Sequence, residues 1–418
     1  MKKELHFVDL NYKPRDDLIC LFKIIPNKMT LLQAANTVAL ESSVGTWTDI
    51  KERDYVGKIR ARVFSAKGNY VKIAYPSALF ERGNVPNILS SIAGNVFGMK
   101  AVKGLRLEDV SFPKSIIKGF KGPRFGIKGI RRFMNVKSRP FVGTIIKPKL
   151  GLNTEHHAQS AYESWIGGCD VVKDDENLSS QKFNEFENRL VKTLKMADKA
   201  EYETGEKKAY LVNVTAETKE MLKRAQMVED QGGKFVMVDV ITEGWGAVQT
   251  LRNANFKLAI HAHRAMHAAF DRNPDHGMSM MVIADFARLI GVDQIHIGTG
   301  IGKLEGSIKQ INEIEQEIEK HDVKATKDRL QQVWSDIKPV LAVSSGGLHP
   351  GHVPFLIKHL GKDLVIQMGG GIHGHPGGTI YGAQAARQAV EATLKHISLK
   401  EYARDHLELK QALEKWGS

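Results

Sequence analysis

One short stretch, GGCDVVKDDEN at residues 167–177, joins an apolar strand-like run to a lysine and three carboxylates. Lys173 and Asp175 are two residues apart, so on a strand their side chains point to the same face. Glu176 follows where the strand should give way to a loop. Carboxylate oxygens suit Mg²⁺, which fills its remaining positions with water or substrate oxygens. The stretch therefore predicts an amine and two carboxylates around one metal ion.

Lys173 is the unusual member of this group, because a metal ion repels a neighbouring ammonium. Lys147 and Lys149 lie upstream in the run KPK, and nearby cations favour the neutral, nucleophilic form of a lysine. A neutral amine can add CO₂ to give a carbamate, which would be a third oxygen ligand. The alternative is that Lys173 pairs with Asp174 or Asp175 on a solvated edge, as clustered charges commonly do.

The composition is that of a soluble globular protein. The chain has 418 residues, of which 42% are hydrophobic and 26% charged. Sixty Lys and Arg residues against 47 Asp and Glu give a formal net charge of +13. Such a balance suits nucleic acid, an anionic surface or a phosphorylated substrate. Because the basic residues are spread along the chain, nucleic acid is the minority interpretation.

The remaining global features favour the cytoplasm. Cys20 and Cys169 are far apart and form no disulfide framework, which is typical of a reducing compartment. The first residues are basic but precede no apolar run, so we expect no signal peptide. No apolar stretch is long enough to span a bilayer.

The elements that must position these residues fall into two groups, and the first has the order β-α-β-β-α-β. Strands are predicted at 17–26, 60–64, 70–75 and 101–112, with helices after Thr30 and over 84–97. This order predicts a ferredoxin-like α+β domain, which we place at residues 1–125. Residues 114–139 are a basic, glycine-rich stretch without a strong period, which predicts a connector at a domain boundary.

From Pro140 onwards, strand-like runs alternate with amphipathic helical patterns. The predicted strands are 141–149, 170–175, 209–215, 235–241, 258–263, 294–299, 340–345 and 364–368. Eight β/α units in roughly 250 residues indicate a (β/α)8 TIM barrel, so the fold class is α/β. We place this barrel at residues 126–418. The charged run at 313–334, after Gly306, predicts an exposed helix or helical pair.

In such a barrel the chemistry lies at the carboxyl ends of the strands, and polar residues gather there in this sequence. Taken individually, a histidine on a strand is more often packed in place than catalytic, and a glycine pair after a strand is usually a tight turn. Together, glycine-rich ends on the last two strands predict a phosphate site. Lys149, Arg264 and His296 are candidates for a second phosphate, so we expect a small bisphosphate. The glycine-rich loop that ends in Lys303 is typical of a mobile lid.

The motifs at these strand ends closely resemble one family. GTIIKPKLGL, GGCDVVKDDEN, HAHRAMHAAF, HIGTGIGKLEG, SSGGLHPG and QMGGGIHGHP resemble the large subunit of ribulose-1,5-bisphosphate carboxylase/oxygenase (RuBisCO). ESSVGTWT and GNVFGMKAVKGLRLED resemble its N-terminal domain. The resemblance covers nearly the whole chain. The variants HAHRAMHAAF, GGLHPG and GGGIHGHP are similar to the archaeal-type (form III) branch.

This resemblance implies a role for each candidate residue. Lys147 would be the acid/base lysine, His263 the base in the hydration steps, and Lys303 the cation that neutralises the new carboxylate. The implied Mg²⁺ ligands are Lys173, carbamylated by CO₂, with Asp175 and Glu176. The implied substrate-binding residues are Lys149, Arg264, His296, Ser345, Gly346, Gly347, Gln367, Gly369 and Gly370, with Glu41, Thr46, Trp47 and Asn95 from a neighbouring subunit.

The implied reaction adds CO₂ to ribulose 1,5-bisphosphate and yields two 3-phosphoglycerates, with an oxygenase side reaction that uses O₂. A homodimer would be the minimal unit, and no small subunit, nucleic acid or membrane partner is expected. The branch suggests a place in AMP or nucleoside salvage. The alternatives are a RuBisCO-like enolase or isomerase of a related sugar phosphate, and a basic nucleic-acid-binding scaffold. One departure stands out: plant-type members have Thr where this chain has Ile145, and Thr144 is one residue earlier.

Overall fold

The computed structural model describes residues 5–45, 55–302 and 306–417 and divides into two compact units. Unit 1 is formed by Met1–Gly122, Met266–Ile290 and Lys320–Ile337. Unit 2 is formed by Pro123–Ala265, Gly291–Glu319 and Lys338–Ser418. Helices of eight or more residues are numbered below, and shorter ones are given by their bounds.

Unit 1 contains an antiparallel sheet whose four main strands have the order β4-β1-β3-β2. These strands are β1 (Asp17–Pro26), β2 (Arg62–Lys67), β3 (Tyr70–Pro76) and β4 (Val102–Ser111). The helices are α1 (Leu31–Glu41) and α2 (Val85–Ile92), with a short helix at Val56–Ile59. The expected ferredoxin-like order β-α-β-β-α-β is therefore confirmed.

The caps of these helices follow directly from the sequence. Thr30 and Gln33 form a capping box at the start of α1, in which each side chain accepts from the other residue's backbone N–H. Asn84 caps α2 by accepting from the backbone N–H of Asn87. We expected the second helix to run to Phe97, which was too long. It ends at Ile92, and a separate 3₁₀ turn covers Asn95–Gly98.

The expected connector at 114–139 contains the division between the two units, at Gly122 and Pro123, but it also contains helix α3 (Gly126–Met134) after a short helix at Lys114–Ile117. Ile127, Ile130 and Met134 of α3 join the hydrophobic cluster formed by the first residues of the barrel strands. Asp293 accepts from the backbone N–H groups of Phe125 (2.7 Å) and Gly126 (2.9 Å), which anchors the start of the helix. The high glycine content had concealed this amphipathic helix.

Unit 2 contains a closed ring of eight parallel strands. They are β5 (Phe141–Ile145), β6 (Val171–Lys173), β7 (Ala209–Asn213), β8 (Phe235–Asp239), β9 (Ala259–His263), β10 (Gln294–His296), β11 (Leu341–Ser345) and β12 (Leu364–Gln367). The predicted TIM barrel is confirmed. Most strands end earlier than predicted, because the polar residues at their carboxyl ends lie in loops.

Helices alternate with the barrel strands. They are α4 (Thr154–Ile166), α5 (Phe186–Thr204), α6 (Thr218–Asp230), α7 (Trp245–Asn253), α8 (Met280–Ile290), α9 (Ile308–Glu319), α10 (Val353–Leu360), α11 (Gly378–Leu394) and α12 (Leu407–Trp416). Short helices lie at Val240–Glu243, His267–Asp271, Gly370–His373 and Leu399–Tyr402. Among the described residues, no helix has the length and apolar character needed to cross a membrane.

Two segments from the barrel half of the sequence belong to unit 1. Every residue of α8 is buried, and the two-residue strand Gly277–Met278 before it pairs in parallel with β4. Residues 320–337 contain a two-stranded hairpin, Asp322–Val323 with Gln332–Val333, instead of a helix. The expected exposed helix or helical pair at 313–334 was therefore wrong beyond Glu319. Alternating Glu and Lys did not distinguish a surface helix from this charged hairpin.

Candidate active site

Lys173 is the last residue of β6, and its side chain is fully buried. Its Nζ donates to the backbone oxygen of Asp174 at 2.7 Å and lies 3.5 Å from Glu176 Oε2. The interpretation of Lys173 as part of a solvated edge was therefore wrong. The Lys173 amine is shielded from water and has one carboxylate oxygen nearby, at 3.5 Å, so it is not part of a hydrated surface ion pair.

The carboxylate of Asp174 is used for structure. It accepts from Tyr210 Oη (2.7 Å), the backbone N–H of Asn213 (3.0 Å) and Arg189 Nε (3.2 Å), and lies 3.1 Å from His157 Nε2. Burial alone would raise the pKa of Asp174, but Arg189, His157 and Asn213 outweigh it and hold the pKa well below its usual range. Asp174 therefore anchors β6 to α4, α5 and β7, and the neighbouring residues carry the chemistry.

Asp175 forms an ion pair with Lys147, the lysine that the resemblance assigns to acid/base chemistry. Lys147 Nζ donates to Asp175 Oδ2 at 2.7 Å, and the backbone N–H of Asn177 donates to Asp175 Oδ1 at 3.2 Å. The Asp175 side chain is 3% exposed and that of Lys147 is 35% exposed. Lys149 donates to Asn177 Oδ1 at 3.1 Å. The KPK run after β5 and the KDDEN run after β6 therefore meet, as predicted.

Glu176 and His263 lie on the same rim. His263 Nε2 lies 3.6 Å from Glu176 Oε2, and His263 Nδ1 lies 2.6 Å from Asp239 Oδ1. Burial raises the pKa of Glu176, but Lys173, His263 and Lys147 outweigh it, so the pKa falls to about 2. The Asp239 carboxylate holds the proton on Nδ1, which leaves Nε2 as a base facing the site.

The sequence interpretation missed Asp239. It ends the apolar strand β8 (FVMVD), so a carboxylate at a barrel strand end was a signal that could have identified it.

His296 belongs to a buried, hydrogen-bonded series of neutral side chains that also includes His261 and Gln294. His261 Nδ1 lies 2.7 Å from Gln294 Oε1 and His261 Nε2 lies 2.9 Å from His296 Nε2, so His296 donates to His261. Burial, reinforced by Lys173, lowers the pKa of His261 to about 3. Burial, with repulsion from His263 and His261, holds the pKa of His296 well below its ordinary value. The neutral His296 ring therefore uses its one N–H toward His261, and a positive charge at the second anion site must come from Lys149 and Arg264.

The glycine-rich ends of β11 and β12 carry exposed backbone. Gly346 and Gly347 have φ values of 126° and 71°, which favour glycine over other residues. At Gly369 a Cβ would lie 3.1 Å from Lys147 Cε, so glycine here lets the lysine stem approach. Gln367 is fully buried, and neither side-chain Oε1 nor Nε2 has a hydrogen-bond partner within the described protein. Such an unsatisfied amide fits a site that takes a polar ligand.

For the other predicted site residues, the structure gives the position in the chain's helices, strands and turns. Ser345 ends β11, and Gly370 begins the short helix Gly370–His373. In unit 1, Glu41 ends α1 and Asn95 begins the 3₁₀ turn. Thr46, Trp47 and Lys303 lie outside the described residues, so their roles stay predictions.

The side chains at this rim bear on a fit to Mg²⁺. Asp175 and Glu176 supply carboxylate oxygens, with Lys147 2.7 Å from Asp175 and Lys173 3.5 Å from Glu176. Over the described ranges, no cluster of three or more His, Cys, Asp and Glu side chains could hold a metal ion. Mg²⁺ commonly takes one or two protein carboxylates with water or substrate oxygens, and an oxygen ligand formed on Lys173 would be a third protein ligand. The residues present therefore fit the metal.

Comparison with known proteins agrees with this geometry. Residues 126–416 match the family "Ribulose bisphosphate carboxylase large chain, catalytic domain", and residues 6–116 match the N-terminal domain of that chain. The ribulose bisphosphate carboxylase of Methanocaldococcus jannaschii is 50% identical over 99% of this chain and all of its own. That of Pyrococcus abyssi is 49% identical over 99% of this chain and 96% of its own.

Solved structures are equally similar. The dimeric archaeal Rubisco of Hyperthermus butylicus has a TM-score of 0.94 and 48% identity, over 99% of both chains. The octameric Rubisco of Pyrococcus horikoshii, in complex with sulfate ion, has a TM-score of 0.92 and 47% identity, over 99% of this chain and 96% of its own. With these matches over nearly its whole length, the chain belongs to the family of ribulose bisphosphate carboxylase large chains.

Proposed function

We propose that the protein is a ribulose-bisphosphate carboxylase that adds CO₂ and water to ribulose 1,5-bisphosphate and releases two 3-phosphoglycerates. The observation that carries this proposal is the meeting of Lys147, Lys173, Asp175, Glu176 and His263 on one rim of the barrel. An oxygenase side reaction with O₂ is part of the proposal. The carboxylase proposal is supported by two archaeal relatives named ribulose bisphosphate carboxylase, which are 50% and 49% identical to this chain over 99% of its length.

Activation would begin at Lys173. The Lys173 ammonium would first lose one proton, and the neutral amine nitrogen would then attack the carbon of CO₂ and release a second proton, so that a cation becomes a carbamate anion. Before this reaction the amine donates to the backbone oxygen of Asp174 and lies 3.5 Å from Glu176 Oε2, so one carboxylate is near the reacting nitrogen. The carbamate, Asp175 and Glu176 would hold Mg²⁺, which supplies Lewis-acid polarisation of the substrate carbonyl when bound.

The chain's own residues would move the protons. Lys147 is held against Asp175 at the rim, within reach of the substrate backbone, and would act as acid and base during enolisation and product release. His263, with its proton held on Nδ1 by Asp239, would use Nε2 to take a proton from the attacking water. Lys303 would neutralise the carboxylate that forms.

Two groups of residues would bind the phosphates of the substrate. One phosphate would lie against the backbone N–H groups of the glycine ends of β11 and β12, and the other against the opposite rim. The first group is Ser345, Gly346, Gly347, Gln367, Gly369 and Gly370, and the second is Lys149, Arg264 and His296. The positive φ values of Gly346 and Gly347 support the first assignment, because glycine turns of this kind can present backbone N–H groups to an anion.

The assembly is proposed to be a homodimer or a higher assembly of dimers, without a small subunit, in which Glu41, Thr46, Trp47 and Asn95 complete the neighbouring site. The archaeal neighbours described as dimeric and octameric support this proposal. The proposed boundary between residues 1–125 and 126–418 is supported by the family matches at 6–116 and 126–416. A cytoplasmic location, no partnership with nucleic acid and a role in AMP or nucleoside salvage remain proposals.

The decisive experiment is fixation of labelled CO₂ into acid-stable product, dependent on ribulose 1,5-bisphosphate, after preincubation with Mg²⁺ and bicarbonate. We expect incorporation that requires both, and none in Lys173→Ala. Full activity in Lys173→Ala would contradict the carbamate. No incorporation by folded wild-type protein would favour the RuBisCO-like enolase or isomerase, which is then tested by enolisation of sugar phosphates.

A further inference from the structure

Thr144 lies three residues before Lys147, and its side chain is fully buried. Its Oγ1 lies 2.8 Å from the backbone oxygen of Met368 and 3.1 Å from His373 Nε2. The hydroxyl is therefore committed to groups within the protein. Plant-type members have a threonine at the position of Ile145. Thr144, one residue earlier, points its hydroxyl to Met368 and His373, so it does not take the place of that threonine.

The hydrogen bonds of His373 define which nitrogen carries the proton. Because the Thr144 hydroxyl donates to Met368, it must accept from His373 Nε2–H. His373 Nδ1, 3.2 Å from Thr379 Oγ1, then accepts from that hydroxyl. Burial, with repulsion from Lys147, lowers the pKa of His373 to about 4, so the neutral ring keeps this pattern at neutral pH.

The Thr144–His373 pair joins two strand ends that have separate roles in the proposed reaction. Thr144 belongs to β5, whose end carries Lys147. Met368 follows β12, and His373 ends the short helix that begins at Gly370. Lys147 also packs its stem on Gly369, which lies between Met368 and that helix. The Thr144–His373 pair therefore links β5 to the segment Met368–His373, and the Lys147 stem packs against Gly369 of that segment.

We propose that His373 is a positioning residue for Lys147: through Thr144 it holds the end of β5 against the loop Met368–Gly371, and so sets where the lysine ammonium meets the substrate. This inference rests on the proposed function. His373 itself touches no substrate in this account. A displacement of about 1 Å at a reacting group can reduce a rate by roughly a hundredfold, so the loss of one such hydrogen bond is measurable.

The test compares four single variants, and the double variant of His373→Leu with Thr144→Val, with the wild type. His373→Leu and Thr144→Val each remove one side of the pair. His373→Gln keeps an N–H donor near the position of Nε2. His375→Leu is the matched control, because His375 is also buried, but its Nε2 bonds to the backbone oxygen of Glu408 in α12 and not to β5.

Folded protein isolated by size exclusion is assayed for kcat and for the KM of ribulose 1,5-bisphosphate. For His373→Leu and Thr144→Val we expect kcat to fall roughly tenfold to a hundredfold, with a much smaller change in KM. The double variant should lose no more than either single one, because both act through the same bond. His373→Gln should recover most of kcat, and His375→Leu should change only the thermal midpoint.

A second readout does not depend on turnover: the rate at which an amine-reactive reagent labels Lys147, followed by peptide mass spectrometry. We expect a severalfold change in His373→Leu that His373→Gln reverses. Wild-type kcat in His373→Leu, or a loss matched by His375→Leu, would overturn the inference. If wild-type protein fixes no CO₂, the proposed function fails, and an unchanged labelling rate would then reject the positioning role independently.

Discussion

Lys147 and Asp175 form an ion pair with 2.7 Å between Nζ and Oδ2, in which the carboxylate is almost completely buried and the lysine is partly exposed. Asp175 is also one of the proposed ligands of Mg²⁺. Lys147 and the metal ion would therefore compete for the Asp175 carboxylate. The competition would free the acid/base lysine when the site is loaded.

We accordingly predict that Lys147→Met binds Mg²⁺ more tightly than wild type while losing carboxylase activity. An increase of roughly tenfold in affinity corresponds to about 1.4 kcal/mol, a reasonable size for removing one competing cation. Titration calorimetry with Mg²⁺ in the presence of bicarbonate measures it. Lys149→Met is the matched control, because Lys149 bonds to Asn177 and not to a proposed ligand. Weaker Mg²⁺ binding in Lys147→Met would contradict the competition.

Asp239→Asn should impair the hydration step selectively. An asparagine amide can donate to Nδ1 of His263, which moves the ring proton to Nε2 and removes the base. General-base catalysis is worth about 10²–10⁴-fold, so overall turnover should fall by at least roughly a hundredfold. Exchange of the substrate C3 proton with solvent should stay near the wild-type rate, since His263 acts after enolisation. An equal loss in both measurements would assign Asp239 to some other role.

Asp174→Asn should destabilise the barrel without a direct effect on chemistry. The substitution leaves Arg189 buried without its carboxylate, and breaking a buried ion pair in this way costs about 3–5 kcal/mol. Glu155→Gln is the control: its ion pair with Lys192 is largely exposed and should contribute about 0–1 kcal/mol. Urea unfolding at fixed protein concentration compares the two. Similar losses of unfolding free energy in both variants would show that Asp174 is not a structural anchor.

The buried histidines His261 and His296 predict a loss of stability at acidic pH. Their pKa values are lower in the folded chain than the ordinary value near 6.5, to about 3 for His261. Between those values the unfolded chain binds more protons, so the unfolding free energy rises with pH and falls as the solution is acidified below pH 6.5. Each histidine contributes at most about 1.4 kcal/mol per pH unit.

His261→Asn keeps an amide near Gln294 and removes one titration, so its unfolding free energy should depend less steeply on pH between 6 and 4. Urea titrations at pH 6, 5 and 4 measure the slope. His321→Asn, at an exposed site, should retain the wild-type slope. Identical slopes in wild type and His261→Asn would mean that His261 is not the group responsible.

Mixed dimers test whether two chains share each site. Glu41→Gln and Lys173→Ala should each be inactive alone. When the two are unfolded together and refolded, about a quarter of wild-type activity should return, because a mixed dimer contains one site with both native residues. The same mixing of Lys147→Met with Lys173→Ala is the control and should restore nothing, since both residues belong to one chain's barrel. No recovery in the first mixture would contradict the shared site.

Most strands and helices, and most residues that could carry chemistry, were predictable from the order of the amino acids. The strand at 17–26 and the eight barrel strands were predictable because a buried strand requires a short run of apolar residues, which is visible in the sequence. Lys147, Lys173, Asp175, Glu176 and His263 were predictable because they follow or end those strands, and a parallel barrel brings strand ends together. Local spacing indicated the positions of these residues, and the resemblance to the RuBisCO family implied their roles.

The pairing of side chains could be read only from the three-dimensional fold. Adjacent carboxylates in one run differ completely: Asp174 anchors Arg189 inside the protein, and Asp175 faces Lys147 at the rim. Asp239 with His263, and Thr144 with His373, are separated by 24 and 229 residues. The charged hairpin at 320–337 was mistaken for helix. Hydrogen bonding and charge pairing depend on distances set by the fold, which residue order and composition do not encode locally.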